Sequence, residues 1–436
     1  MQLRRITIGA GAVLFGAVLV GALTGAEQGG VECDPDNAGL TLPDGFCALV
    51  VADDVPRARH LTVAGNGDVF VATGQTRGDP EAGGVVALRD SDGDGVADLR
   101  ARFGSGAGDD VEFHGDYLYY STHGAVMRYT WAPNSLEPAG PADTVVRGLP
   151  ATRSHQAKSI ALGADNALYV NIGSPSNACQ TEDRTSGSPG KDPCDELETR
   201  AGIWRFDANK LGQTQADGSR YATGLRNTVA LTIHPVTGVL YGAVHGRDQL
   251  SANWPQYFSE TQSAEKPSEK LVAIEKGEDF GWPYCYHDPE LGHLVLAPEY
   301  GGDGSTVGRC TVFKEPLMGL PAHWAPNGIV FYTAEQFPPR YRGGAFIAFH
   351  GSWNRAPEPQ GGYNVVFVPF DGGGPVGDWE VFADGFAGAS IGPREAAHRP
   401  VGVAQGPDGS LYVSDDSGGR IYRIVYRGSQ GSALRN

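Results

Sequence analysis

Residues 155–173 read HQAKSIALGADNALYVNIG. A short apolar run at 159–162 is followed by the turn residues Gly163, Asp165 and Asn166, then by a longer apolar and aromatic run at 167–172. Gly accepts positive φ, and Asp and Asn hydrogen-bond their own backbone, so strand, turn, strand reads as a β-hairpin. The unit keeps returning. It reads GNGDVFV at 65–71, GDYLY at 115–119, ADNALYV at 164–170, TGVLY at 237–241, RGGAFI at 342–347 and GPDGSLYV at 406–413. Another short apolar strand precedes the last copy, at 401–404. Six hairpins at intervals of roughly 50 residues or more indicate radial repetition, one hairpin per blade. The predicted fold is therefore all-β, a six-bladed β-propeller with elaborated loops. A β-sandwich is disfavoured because the same hairpin recurs, instead of merely some turn.

Composition agrees. The 436 residues include 63 Gly and 29 Pro, which implies many short elements joined by tight turns. The gap between the fourth and fifth copies, residues 245–340, is too long for a plain connection and holds Trp, Pro and a cysteine pair. It is expected to be an elaborated loop over one face, the kind that builds binding sites on rigid scaffolds. The propeller is placed at 27–426, with 27–43 outside the regular blades and 427–436 as a polar tail.

At the N-terminus, Arg4 and Arg5 precede a small and apolar run at 6–25, and Glu27 is the next charge. That layout is an export signal, with cleavage expected after Ala26. The run of roughly 20 residues is also long enough to cross a bilayer, so a membrane tether through residues 6–25 is the alternative. Either way the chain is expected outside the cytoplasm, periplasmic or extracellular. Six cysteines suit an oxidising compartment, and proximity pairs Cys33 with Cys47, Cys179 with Cys194, and Cys285 with Cys310. No Cys-x-x-Cys occurs, so zinc ribbons and covalently attached haem are not supported. Lys and Arg number 34 against 51 Asp and Glu, a net charge of −17 that repels nucleic acid.

His155 opens the strand pair of the third repeat, well placed beside the central face for general-base work near neutral pH. Arg226 and Asn227 stand just before the fourth repeat, and Arg399 holds the equivalent place before the sixth. Asn354 and Arg355, within GSWNR at 351–355, follow the strand of the fifth. Cationic and polar groups at equivalent points of different blades converge on one end of the central channel, which argues for a bound polyanion. Elsewhere, Asp90, Asp92, Asp94 and Asp98 resemble the start of an EF-hand-type calcium loop with Gly95 at the sixth position. The twelfth position is Ala101, so the usual bidentate Glu is missing, and any ion there is structural.

Taken in order, residues 155–173, 224–248 (GLRNTVALTIHPVTGVLYGAVHGRD), 279–286 (DFGWPYCY), 351–355 and 399–416 (RPVGVAQGPDGSLYVSDD) resemble the glucose/sorbosone dehydrogenase family. These are six-bladed propellers that use pyrroloquinoline quinone (PQQ), and the likeness is strongest to the sorbosone dehydrogenase-like branch. It runs over residues 42–424. It implies a sugar dehydrogenase in which His155 takes the proton of the anomeric hydroxyl while hydride passes to the quinone. Arg226 and Asn227 match the pair that contacts PQQ, Arg399 an arginine near its carboxylates, and Asn354 or Arg355 a further contact. A calcium ion beside PQQ would be held partly by the backbone carbonyls of Gly246 and Arg247. The partners implied are a small sugar and a separate electron acceptor. Three positions depart from the soluble glucose dehydrogenase branch: Ser154 and Ser174 replace aspartates before and beside the histidine, and Val401 replaces an arginine. A non-catalytic extracellular propeller that binds carbohydrate or protein is the alternative, disfavoured because His155, Arg226 and Arg399 are all present.

Overall fold

Every hairpin of the repeat becomes the inner half of a four-stranded antiparallel sheet, and there are six such sheets. The computed structural model describes residues 31–75, 83–151 and 154–428. The expected signal or tether at 1–26, and the tail from 429 onward, lie outside the described residues. From the axis outward, blade 1 runs Ala58–Val63, Val69–Thr73, Gly84–Arg89 and Leu99–Phe103. Blade 2 runs Gly108–His114, Tyr117–Thr122, Ala125–Thr130 and Asp143–Arg147. Blade 3 runs Ile160–Leu162, Ala167–Ile172, Gly202–Asp207 and Ser219–Thr223. Blade 4 runs Ala230–Ile233, Leu240–Val244, Glu269–Ile274 and Met318–Leu320. Blade 5 runs Pro326–Phe331, Ala345–Phe349, Asn364–Val368 and Glu380–Ala383.

Blade 6 is made from both ends of the chain. Pro400–Gln405, Leu411–Asp415 and Ile421–Tyr426 supply its inner three strands, and Phe46–Ala52 its outer one. Phe46 stands opposite Tyr426, and the pairing runs antiparallel to Ile421. No local pattern signals this pairing, because the two strands are about 370 residues apart along the chain.

The second strands of blades 1, 4, 5 and 6 are buried at every position. Each blade packs a neighbour on both faces, so these strands read as continuous apolar runs in place of alternating ones. One apolar cluster fills each of the six blade interfaces. All three expected disulfides form. The long 245–340 segment contains the outer strands of blade 4 as well as an insertion. That insertion carries the short helices Leu250–Asn253 and Glu260–Glu265 and a hairpin of Cys285–Asp288 with His293–Leu296. Among the described residues no helix is long and apolar enough to cross a membrane.

Phe46 anchors the closing strand. Its ring meets Phe337, Phe382 and Tyr341 edge-on at centroid distances of 4.8, 5.0 and 5.4 Å. Phe46→Ala is expected to cost about 3–5 kcal/mol, since it removes a buried aromatic from the contact that closes the ring. Urea unfolding followed by tryptophan fluorescence checks this. A loss below about 1 kcal/mol would mean that the closing strand contributes little.

Candidate active site

In each blade the first strand begins, and the second ends, on the same face of the disc. The residues at those points ring the axis: Arg57 and Arg59 from blade 1, Asp109 and His123 from blade 2, His155 from blade 3. Arg226, Asn227 and His245 come from blade 4, Asn327 and His350 from blade 5, and Arg399 and Asp416 from blade 6. They line two adjoining cavities of about 340 and 430 Å³ that share His155, His245 and Asn327, and so form one basin. That size suits a small ligand or cofactor.

His155 is half-buried and sits at φ 50°, in the left-handed region that a residue with a Cβ seldom adopts. Its Nδ1 lies 2.7 Å from the Ser174 carbonyl and 3.0 Å from the Ser174 hydroxyl. A carbonyl only accepts, so Nδ1 carries the proton and Nε2 keeps the lone pair. Burial, then the Arg226 charge and His245, hold this imidazole well below the ordinary histidine range, against the opposing pull of Ser174 and Asp248. It is a neutral base at pH 7. Gly173 makes the close approach possible, since a Cβ there would fall 2.6 Å from the His155 Cβ and 2.8 Å from Asn227 Oδ1.

Arg226 is buried. Its Nε donates to the Asn177 carbonyl at 3.1 Å, and its Nη2 to Asn177 Oδ1 and Asp248 Oδ2, both at 3.0 Å. Asp248 also accepts from Arg184 at 3.1 Å and from Asn354 Nδ2 at 2.9 Å. Burial opposes its charge, but Arg226, His323 and Arg184 outweigh that and hold the carboxyl well below its ordinary value. Asp248 is thus the knot of the site. Beside it, Glu269 accepts from the backbone N–H groups of Gly246 (2.5 Å) and Ala325 (3.2 Å), and burial lifts its pKa to about 7. On the far side His350 Nε2 meets Asp416 at 2.8 Å, and Arg59 meets the same carboxylate at 3.1 Å. Arg399 donates to the carbonyls of His350 and Gly351 at 3.0 and 2.9 Å.

His155, Arg226, Asn227, Gly246, Asn354 and Arg399 all line the basin. Arg355 is not among them. It turns into the protein, where its guanidinium donates to the carbonyls of Pro359, Ala264 and Ala322 and to Glu265, so it serves as a loop anchor. The Arg247 side chain also leaves the basin, for Glu299. Val401 is fully buried in blade 6, and no second arginine takes its place there. The Asp90 loop joins the third and fourth strands of blade 1, at the end of the blade away from the basin. Carboxylate oxygens of Asp90, Asp92 and Asp94 come within 4.8 Å of one another. Asp98 stands apart from them and binds the Ser91 N–H and hydroxyl at 2.8 and 2.5 Å.

Sequence reading missed Asn177, Arg184, Asp248, Glu269, His323, His350 and Asp416. A signal existed for part of the set. The residue directly after the second strand of blades 2, 4, 5 and 6 is His123, His245, His350 and Asp416, a polar position in register with the repeat.

The chain matches the TrAA12-like family model over residues 40–427. Among characterised sequences it is 28% identical over 306 residues to the pyrroloquinoline quinone-dependent pyranose dehydrogenase of Coprinopsis cinerea, covering 59% of this chain and 38% of that protein. It is 33% identical over 208 residues to an uncharacterized protein of Borreliella burgdorferi, covering 47% of this chain and 48% of that one. The matches therefore span half or less of those relatives' lengths. Among solved structures, the holo PQQ domain of the Coprinopsis cinerea pyranose dehydrogenase superposes with TM-score 0.70 at 20% identity, over 88% of this chain and 97% of that one. The calcium structure of the Trichoderma reesei AA12 enzyme gives 0.70 at 20%, over 89% and 97%. The PQQ-bound aldose sugar dehydrogenase of Streptomyces coelicolor gives 0.53 at 18%, over 88% and 99%. These likenesses establish the six-bladed fold.

Gly173→Ala is expected to destabilise the protein by about 1–3 kcal/mol, because the added methyl must displace His155 or the Asn227 side chain. Urea melts measure the loss, and a crystal structure of the variant should show His155 moved. An unmoved ring at unchanged stability would contradict the close contact.

Proposed function

The chain belongs to the TrAA12-like family, and from that premise we propose that it is a PQQ-dependent oxidoreductase acting on the anomeric hydroxyl of an aldose or related sugar. The observation that carries this reading is a neutral, pre-positioned base, His155, at the wall of a basin rich in arginine. Five arginines line that basin (Arg57, Arg59, Arg184, Arg226, Arg399) against four carboxylates, one of which, Glu269, is lifted to about 7 by burial. A ligand with several carboxylates suits such a wall. Asn354 adds a buried Oδ1 with no hydrogen-bond partner, an acceptor left over for a ligand donor. This arginine-rich donor set, with its spare Asn354 acceptor, fits PQQ.

Arg226, Asn227, Arg399 and Asn354 would hold PQQ, and the Gly246 and Arg247 carbonyls a calcium ion beside it. When bound, PQQ supplies an ortho-quinone that accepts hydride, and calcium acts as a Lewis acid on its oxygen. His155 Nε2 accepts the proton of the sugar hydroxyl, while the Ser174 carbonyl on Nδ1 fixes the ring and its tautomer. Trp353, 55% exposed at the basin wall, offers an indole face to the apolar side of a pyranose ring. The Asp90 loop is assigned a second, structural calcium. Three disulfides support an oxidising compartment, and with it export through residues 1–26. Electrons leave to a separate acceptor.

The test is a titration of the purified protein with PQQ and calcium, followed by absorbance before and after addition of a panel of aldoses. Calcium-dependent binding and sugar-driven reduction are expected, with reduction lost by a factor of about 10² or more in His155→Ala while PQQ still binds. Failure to bind PQQ would favour a non-catalytic propeller that binds carbohydrate or protein. The acid limb of kcat/KM should lie below the ordinary histidine pKa, since burial, then Arg226 and His245, disfavour the charged ring and a depressed base stays neutral until the pH falls past its own value. Ser174→Asp should move that limb upward by placing a carboxylate on Nδ1. Trp353→Ala should raise KM several-fold with kcat nearly unchanged, as expected for lost ground-state stacking. A fall in kcat alone would remove Trp353 from the substrate wall.

A further inference from the structure

A second, far smaller cavity of about 20 Å³ lies behind the basin and shares Arg226 and Gly246 with it. Its other walls include Arg247, Lys270, Tyr286 and His287, so blade 4 and the insertion enclose it together. The volume suits a single occupant of water or halide size.

The lining is mostly apolar, from Ala178, Val244, Pro267, Trp282 and Pro283, and cationic and hydroxyl donors dominate its polar part. The Arg247 side chain is only 3% exposed, and its Nη1 donates to the fully buried Glu299. Its Nε and Nη2 have no partner. Glu299 cannot readily supply one, because its other oxygen accepts from Trp254 Nε1 at 2.8 Å. Tyr286 is 4% exposed, and its hydroxyl also has no partner. Lys270 is buried with its Nζ donating to the Phe280 carbonyl at 3.0 Å, and Asp279 and Glu315 act on it only through space. Arg226, by contrast, is satisfied by Asn177 and Asp248.

A buried donor without an acceptor costs about 1–3 kcal/mol, and more when it is charged. Arg247 presents three such N–H bonds and Tyr286 one O–H, and both residues line this small cavity together with Lys270. A water molecule accepts from two of them at most and leaves the remaining Arg247 donors without an acceptor. An anion accepts from all of them and offsets the Lys270 charge that no neighbouring carboxylate neutralises at contact. We propose that this cavity is a binding site for a small monovalent anion of the halide type, held by Arg247 and Tyr286. The site lies outside the basin, and its occupancy requires neither quinone nor sugar.

Bromide is the probe. Crystals of the unmodified full chain soaked in sodium bromide are expected to show an anomalous peak between Arg247 and Tyr286. Arg247→Met should remove it and Tyr286→Phe should weaken it. In solution, the melting temperature should rise saturably by roughly 2 °C or more in chloride relative to gluconate at equal ionic strength, and this rise should vanish in Arg247→Met. An ordered water without anomalous signal, bromide confined to the outer surface, or equal melting in the two salts would each overturn the assignment. Should Arg247→Met not fold, the unmodified protein and Tyr286→Phe decide the question.

Discussion

Ring closure is the constraint on which everything else depends. A propeller blade has no stable isolated form, because each sheet is apolar on both faces and needs a neighbour on either side. Six blades therefore need six interfaces, and the sixth exists only if the last blade is complete. The Phe46–Ala52 strand completes it by pairing with Ile421–Tyr426 and carries Phe46 into the largest of the six aromatic clusters. The Cys33–Cys47 disulfide fastens the segment just before that strand to its second residue. The chain ends are joined by main-chain hydrogen bonds and apolar contact, so blade 1 and blade 6 cannot part without exposing two strand edges.

Closure also creates the basin. Once the six sheets stand in a ring, the starts of their first strands and the ends of their second strands must face one another across the axis. Side chains from 57 to 416 become neighbours by symmetry: Arg59 and Asp416 pair across 357 residues. Charges brought together this way need an internal balance before a ligand arrives. Asp248 supplies it, gathering Arg184, Arg226 and Asn354 on one carboxylate, and Asp416 does the same for Arg59 and His350. These contacts form among the protein's own side chains, so the wall is organised without a ligand.

The fold was legible because its repeat is local. A hairpin signals itself within about ten residues, and six copies in one chain leave few architectures open. His155, Arg226 and Arg399 could be picked out for the same reason: each stands within five residues of the start of a first strand. Two kinds of information were not local. The pairing of Phe46–Ala52 with the last blade depends on chain ends meeting, and no sequence window contains both. The partners of Asp248 come from blade 3, blade 4 and blade 5, so its role appears only after the ring closes. Arg355 shows the limit of phase alone, since one residue of shift along a loop turns a side chain from the basin into the Glu265 and Ala322 contacts.

The replacement of an acid by Ser174 bears most directly on chemistry. A carboxylate on Nδ1 would stabilise the charged imidazole and strengthen the base, at the cost of holding it protonated at higher pH. The Ser174 carbonyl orients the ring equally well and adds only a dipole. Burial, with Arg226 close by, leaves the imidazole weakly basic and unprotonated over the neutral range. Under the proposed reaction a weak base would suffice, because an anomeric hydroxyl becomes acidic as its carbon loses hydride. The burden then shifts from base strength to position. That is consistent with a histidine held at positive φ by a glycine that admits no Cβ behind it.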